Sequence, residues 1–112
     1  AHYNFTNHDL LLTRCLTPDC ASVTTTALHA TADDTGVDPS LTLTPDGRPL
    51  IAHHELDNRD LLLTRCLTPD CTSVTITAIH ATADDTGNDP SLTLTPDGRP
   101  LIAHQDFTNR NL

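Results

Sequence analysis

Residues Ser40-Leu41-Thr42-Leu43-Thr44 alternate apolar and polar side chains, the period of a strand with one covered face. Pro45-Asp46-Gly47-Arg48 interrupts the alternation, and Asp-Gly between alternating segments is the strongest short hairpin signal. The pattern predicts a return strand over Pro49–His54, a turn at Asp57-Asn58 and an outward strand over Asp60–Cys66. Leu67–Asp70 makes the next corner. Thr72–His80 is rich in β-branched residues and forms the fourth predicted strand. A polar connector, Ala81–Pro90, leads to the next set. Four strands joined by tight turns make an antiparallel meander, so the expected fold class is all-β.

The same pattern occurs twice. Sliding the chain by 51 residues aligns 42 identical pairs, from Ala1/Ala52 to Ile51/Ile102. The nine differing pairs are Tyr3/His54, Asn4/Glu55, Phe5/Leu56, Thr6/Asp57, His8/Arg59, Ala21/Thr72, Thr25/Ile76, Leu28/Ile79 and Val37/Asn88. Residues 1–51 form a first repeat, 52–102 a second, and 103–112 echo the first ten residues as the start of a third. Each unit is too small to bury a core alone, so stacking against neighbours is the expected source of stability.

Composition agrees with strands. Thr takes 20 positions, while Lys and Met are absent and Glu and Gln nearly so; the good helix formers are missing. Fifteen acids, fourteen of them Asp, face six Arg, for a net charge of −9. That balance disfavours nucleic acid, whose phosphates need a basic footprint, and an anionic membrane surface. No apolar run is long enough to insert into a membrane. With Tyr3, Phe5 and Phe107 the only aromatic residues, there is little to stack bases or sugars. The start at Ala1, without Met or an apolar signal segment, predicts a processed product or a piece of a longer protein.

Ser40-Leu41, Asp46-Gly47-Arg48-Pro49, and Asp60-Leu61 followed by Cys66 and Cys71 make an order of motifs that resembles bacterial secreted repeats of about 50 residues built like β-propeller blades. The likeness covers the whole chain. It implies tandem four-stranded antiparallel meanders, completed by strand complementation between units or chains, and a location outside the cell or on its surface. Where members of that group carry aromatic residues in the second strand, this chain has His53-His54 and His104-Gln105.

Four residues, Leu-Thr-Pro-Asp, separate Cys15 from Cys20 and Cys66 from Cys71. At the two ends of a hairpin corner such a pair faces across at disulfide distance, and an even number of Cys in a small extracellular chain favours bridges. Each ring is short, worth roughly 2 kcal/mol. The rival is zinc held by Cys and His, whose usual Cys spacing is shorter. His2, His53 and His104 recur at the period, as do His29 and His80. They suit either a metal ladder or, the plainer reading, an amphipathic side chain that is buried on a strand and donates to a backbone carbonyl. His53 and His54 point to opposite faces and cannot share one ion from there.

The connectors place Asp33, Asp34 and Asp38, and again Asp84, Asp85 and Asp89, around a glycine. Clustered Asp serves turns by bonding nearby amides; calcium, which takes hard oxygen ligands, is the alternative. Thr17, Thr44, Thr68 and Thr95 precede Pro, which suits O-glycan attachment on an exposed surface. None of the four Ser sits in a nucleophile elbow, and no enzyme is expected. Two blades cannot close a propeller. The expected function is therefore structural: an extracellular tandem-repeat protein whose partner is itself, joined end to end into a filament or surface array. The alternative is an oligomeric propeller that binds a ligand or carbohydrate.

Overall fold

The computed structural model describes residues 1–29, 34–80, 87–106 and 108. These contain nine strands: β1 (His2–Asn4), β2 (Asp9–Cys15), β3 (Val23–His29), β4 (Val37–Leu43), β5 (Pro49–Glu55), β6 (Asp60–Cys66), β7 (Val74–His80), β8 (Asn88–Leu94) and β9 (Pro100–Gln105). The chain is all-β among the described residues, which include no helix able to cross a membrane. Consecutive strands pair antiparallel in three sheets, ordered β1-β2-β3, β4-β5-β6-β7 and β8-β9. The 51-residue period and the sheets are out of phase: Ile51 and Ala52, where one copy meets the next, are neighbours inside β5.

The hairpin turns follow from their residues. Gly47 N–H donates to Thr44 O at 2.9 Å, and Thr44 N–H to Arg48 O at 2.9 Å. Pro45 supplies the fixed φ of the first corner position, and Gly47 the positive φ of +83° that closes it. The copy at Thr95–Arg99 repeats both bonds.

Some strand limits differ from the pattern. β4 and β8 begin at Val37 and Asn88, three residues ahead of Ser40 and Ser91, so the end of the connector expected over Ala81–Pro90 is strand. The register explains it: Val37 opposes His54 and Ser40 opposes Ala52, leaving Asp38 and Pro39 opposite His53 alone. This is a bulge, with Asp38 at φ +48° and a proline that has no N–H to pair. β7 begins at Val74 rather than Thr72, because Leu67 N–H donates to Ser73 O at 2.8 Å and keeps that residue in the corner. The first sheet also holds β1, ahead of the strand expected from Asp9.

The sheet β4–β7 lies between the other two. On one face Ile51, Cys66 and Cys71 meet Leu10, Leu12 and Leu28 of the first sheet. On the other, Leu50, Ala52 and Leu63 meet Leu92, with Leu94 and Ile102 beside it, in the third. β5 is buried along its whole length as a result. Two covered faces also accommodate the uninterrupted Leu61-Leu62-Leu63 of β6, all buried; a strand with one wet face would bury only alternate positions.

The connectors dock tightly. Gly36 has φ +81°, and a Cβ there would lie 2.5 Å from the Leu10 Cα; at Gly87 the same distance to the Leu61 Cα is 2.7 Å. Only glycine permits this approach of backbone to backbone. Beside it Thr35 is fully buried, its N–H donating to His8 O at 3.1 Å and its hydroxyl to His29 O at 3.4 Å.

Candidate functional site

Each Thr-Pro-Asp corner uses the same local chemistry. The Thr17 and Thr68 hydroxyls donate to Asp19 and Asp70 at 2.6 Å, and Thr44 and Thr95 donate to Asp46 and Asp97. These hydroxyl bonds are the main reason that Asp19, Asp46 and Asp70 ionise below the ordinary carboxylate range. The hydroxyls considered for glycans are thus engaged within their own turns. The Cys corners then close covalently, Cys15 to Cys20 and Cys66 to Cys71, with Cα–Cα separations of 4.7 and 4.8 Å. Cys20 N–H donates to Thr17 O at 3.0 Å, and Cys71 to Thr68 O at 3.1 Å. All four Cys are paired, so no thiolate is left for zinc.

Two of the recurring histidines, His2 and His53, meet threonine hydroxyls rather than the carbonyls expected for them, and His104 Nδ1 accepts from Gly87 N–H at 3.2 Å. His2 Nε2 lies 2.9 Å from Thr13 Oγ1, and His53 Nε2 lies 2.9 Å from Thr64 Oγ1. The two copies differ in setting: His2 is exposed, whereas His53 is fully buried between sheets. The His29 ring stands edge-on to His53, with centroids 6.0 Å apart. Burial, and then the neighbouring His29 and His54, hold the His53 imidazole down to a pKa of about 3, so it is neutral at physiological pH.

Of the acidic residues proposed as ligands, Asp33, Asp84 and Asp85 lie outside the described residues. Asp38 and Asp89 are exposed at the two bulges, at φ +48° and +46°. Among the described residues, no three His, Cys, Asp or Glu side chains are grouped to hold an ion. Asp34 turns instead toward the first sheet. It accepts a hydrogen bond from the Tyr3 hydroxyl, and its Oδ1 lies 3.3 Å from His8 Nδ1. Tyr3 Oη is 2.7 Å from the same nitrogen. Burial and the Asp34 carboxylate, with Asp57 adding its charge, push the Tyr3 hydroxyl up to about 12.

This Tyr3–His8–Asp34 cluster forms the polar end of a cleft of about 400 Å3, whose walls include Phe5, Val37, Pro39 and Leu56. Tyr3 and Phe5 meet edge to face at 5.4 Å. Reasoning from motifs missed the cluster, because its members are 31 residues apart at the widest and belong to no spaced pattern. A signal was nevertheless present. Tyr3, Phe5, His8 and Val37 are four of the nine positions at which the repeats differ, and all four line this cleft. Comparison with protein-family models, curated proteins and solved structures finds no match for the chain.

Proposed function

We propose that the protein is a structural module of an extracellular array, associating with further copies of its own repeat by sheet stacking and strand complementation. The observation that carries this reading is that identical residues are buried or exposed according to whether a neighbouring sheet is present. Leu50 is 0% exposed in the middle sheet, and its copy Leu101 is 58% exposed at the end of the stack. Leu92 is 8% exposed, and its copy Leu41, facing a first sheet that lacks a partner for it, is 42% exposed. A sequence that retains leucine at both copies supplies apolar surface for a unit beyond the chain, worth about 25 cal/mol per Å2 covered.

The strand inventory points the same way. The first sheet has counterparts of β5, β6 and β7 but none of β4; the last has counterparts of β4 and β5 only. β1 and β9 correspond to the same strand of the middle sheet. β1 holds β2 through three register pairs, whereas β5 holds β6 through six. A β9 from another chain, laid on β2 in place of β1, would double the pairing and bring β8 with it to complete a four-stranded sheet. Open edges recruit strands in this way, and the two disulfides suit an oxidising location.

Sedimentation of the full chain over a range of concentrations, with negative-stain imaging, tests the reading. Growth of mass with concentration into rods or rings is expected. Leu101→Asp should suppress it while leaving the chain folded, since the substitution meets solvent in the free molecule. A full-length chain that stays monomeric at every concentration would overturn the proposal.

A further inference from the structure

We propose that Tyr3, His8 and Asp34 form a binding site for a divalent transition-metal ion, copper(II) by the chemistry of the donors. Their donor atoms converge from three separate segments: β1, the β1–β2 turn and the connector before β4. Tyr3 Oη and His8 Nδ1 are 2.7 Å apart, His8 Nδ1 and Asp34 Oδ1 3.3 Å, and Tyr3 Oη touches the same carboxylate oxygen. Metal bonds of about 2.0–2.2 Å at right angles set donors about 2.8–3.1 Å apart, so small shifts carry this triangle to one face of a coordination sphere. The backbone holds the three segments in place. Thr35 N–H donates to His8 O at 3.1 Å, Leu56 N–H to Asp34 O at 2.9 Å, and Asp34 N–H to Asp57 Oδ2 at 2.9 Å.

The electrostatics favour a cation. Asp34 and Asp38 line the cleft and Asp57 adjoins it, against the single amine of Ala1, and no Arg is among the described lining residues. The cleft opens to solvent, so water can fill the remaining positions. Mixed oxygen and imidazole donors bind copper(II) most strongly among the divalent first-row ions. On binding, His8 coordinates as the neutral ring through Nδ1 and Asp34 as the carboxylate; the Tyr3 hydroxyl proton leaves to solvent as the phenolate oxygen bonds the metal. The second repeat, with His54 and Arg59 at the positions of Tyr3 and His8, replaces the phenol and puts a fixed positive charge where the imidazole stands. The site is therefore specific to the first repeat, and it requires β1 on β2; a chain whose β1 is displaced by a partner's β9 loses it, so the copper test is made at a concentration where the protein is monomeric.

Tyr3 is the only tyrosine, which makes the test unambiguous. Cupric chloride titrated into the full-length protein should raise a visible phenolate-to-copper charge-transfer band that saturates at one equivalent. Tyr3→Phe should abolish the band. His8→Arg, which installs the residue already present at position 59, and Asp34→Asn should weaken copper binding at least about tenfold, the loss seen even for residues one shell out. Circular dichroism should show the variants folded, and His104→Asn, remote from the cleft, should leave the band intact. No band in the unsubstituted chain, or a band of equal affinity in His8→Arg and Asp34→Asn, would overturn the assignment.

Discussion

Leu50→Ala and Leu101→Ala make the same chemical change at the same position of the two repeats, and the structure assigns them different costs. Leu50 is sealed between the middle and last sheets, in contact with the cluster of Ala52, Leu63 and Leu92. Its truncation removes buried methyl groups and leaves a cavity whose walls are strands held in their ladders, so little collapse can follow. Buried Leu→Ala changes cost about 2–5 kcal/mol, and a loss of about 3 kcal/mol is expected here. Leu101 keeps 58% of its surface in water. Less than half of the roughly 2 kcal/mol transfer free energy of leucine is at stake, and no enclosed cavity forms, so the expected cost is below about 1 kcal/mol. Urea unfolding at low protein concentration checks both. With a slope of about 1.5 kcal/mol per M, typical of this size, the midpoint should fall by about 2 M for Leu50→Ala and by less than about 0.7 M for Leu101→Ala. Equal shifts would refute the sheet order from which the burial is argued. Repeating the measurement at high concentration adds a consequence of self-association: Leu101→Ala should become more costly there, because assembly covers Leu101.

Two further outcomes follow from burial. His53 is held neutral down to about pH 3 in the folded chain but titrates near 6.5 when unfolded, so between these values the unfolded state binds the extra proton. Its contribution to stability is intact above about pH 6.5 and falls by about 1.4 kcal/mol for each pH unit below that; between pH 7 and 4.5 the unfolding free energies of wild type and His53→Gln, taken from urea titrations, should draw together by about 2.7 kcal/mol, and parallel pH profiles would show that His53 is not the group responsible. Cys66 and Cys71 are buried while Cys15 and Cys20 are exposed, so mild reductant followed by thiol alkylation and mass mapping should label Cys15 and Cys20 first; labelling of both pairs at one rate would contradict the stack.

Much of the fold was legible because its determinants are local. Thr44-Pro45-Asp46-Gly47-Arg48 closes by bonds among its own residues, and the Cys-Leu-Thr-Pro-Asp-Cys corner brings its thiols together by turn geometry alone. The start of β4 was not legible, since Asp38 and Pro39 look like a connector until the bulge opposite His53 shows them inside a ladder. In the sequence the Asp-Thr-Gly of the connector stands out for its carboxylates. Its buried Thr35 and its glycine, pressed on Leu10, reveal a docking element, and that role depends on a strand 26 residues earlier.

By itself the sequence determined an all-β chain, the positions of the tight turns, the two covalent corners and a period of 51 residues. These depend on side-chain alternation and turn chemistry within a few residues, and they come out alike in both copies. Only the tertiary structure decided which copy of each residue lies inside. Leu50 and Leu101, and Cys66 and Cys15, have the same local neighbours and different environments. The gathering of Tyr3, His8 and Asp34 was likewise decided there. Burial and convergence are properties of what packs across from a strand, and in a repeated chain local sequence cannot distinguish a unit with neighbours on both faces from one with a neighbour on only one.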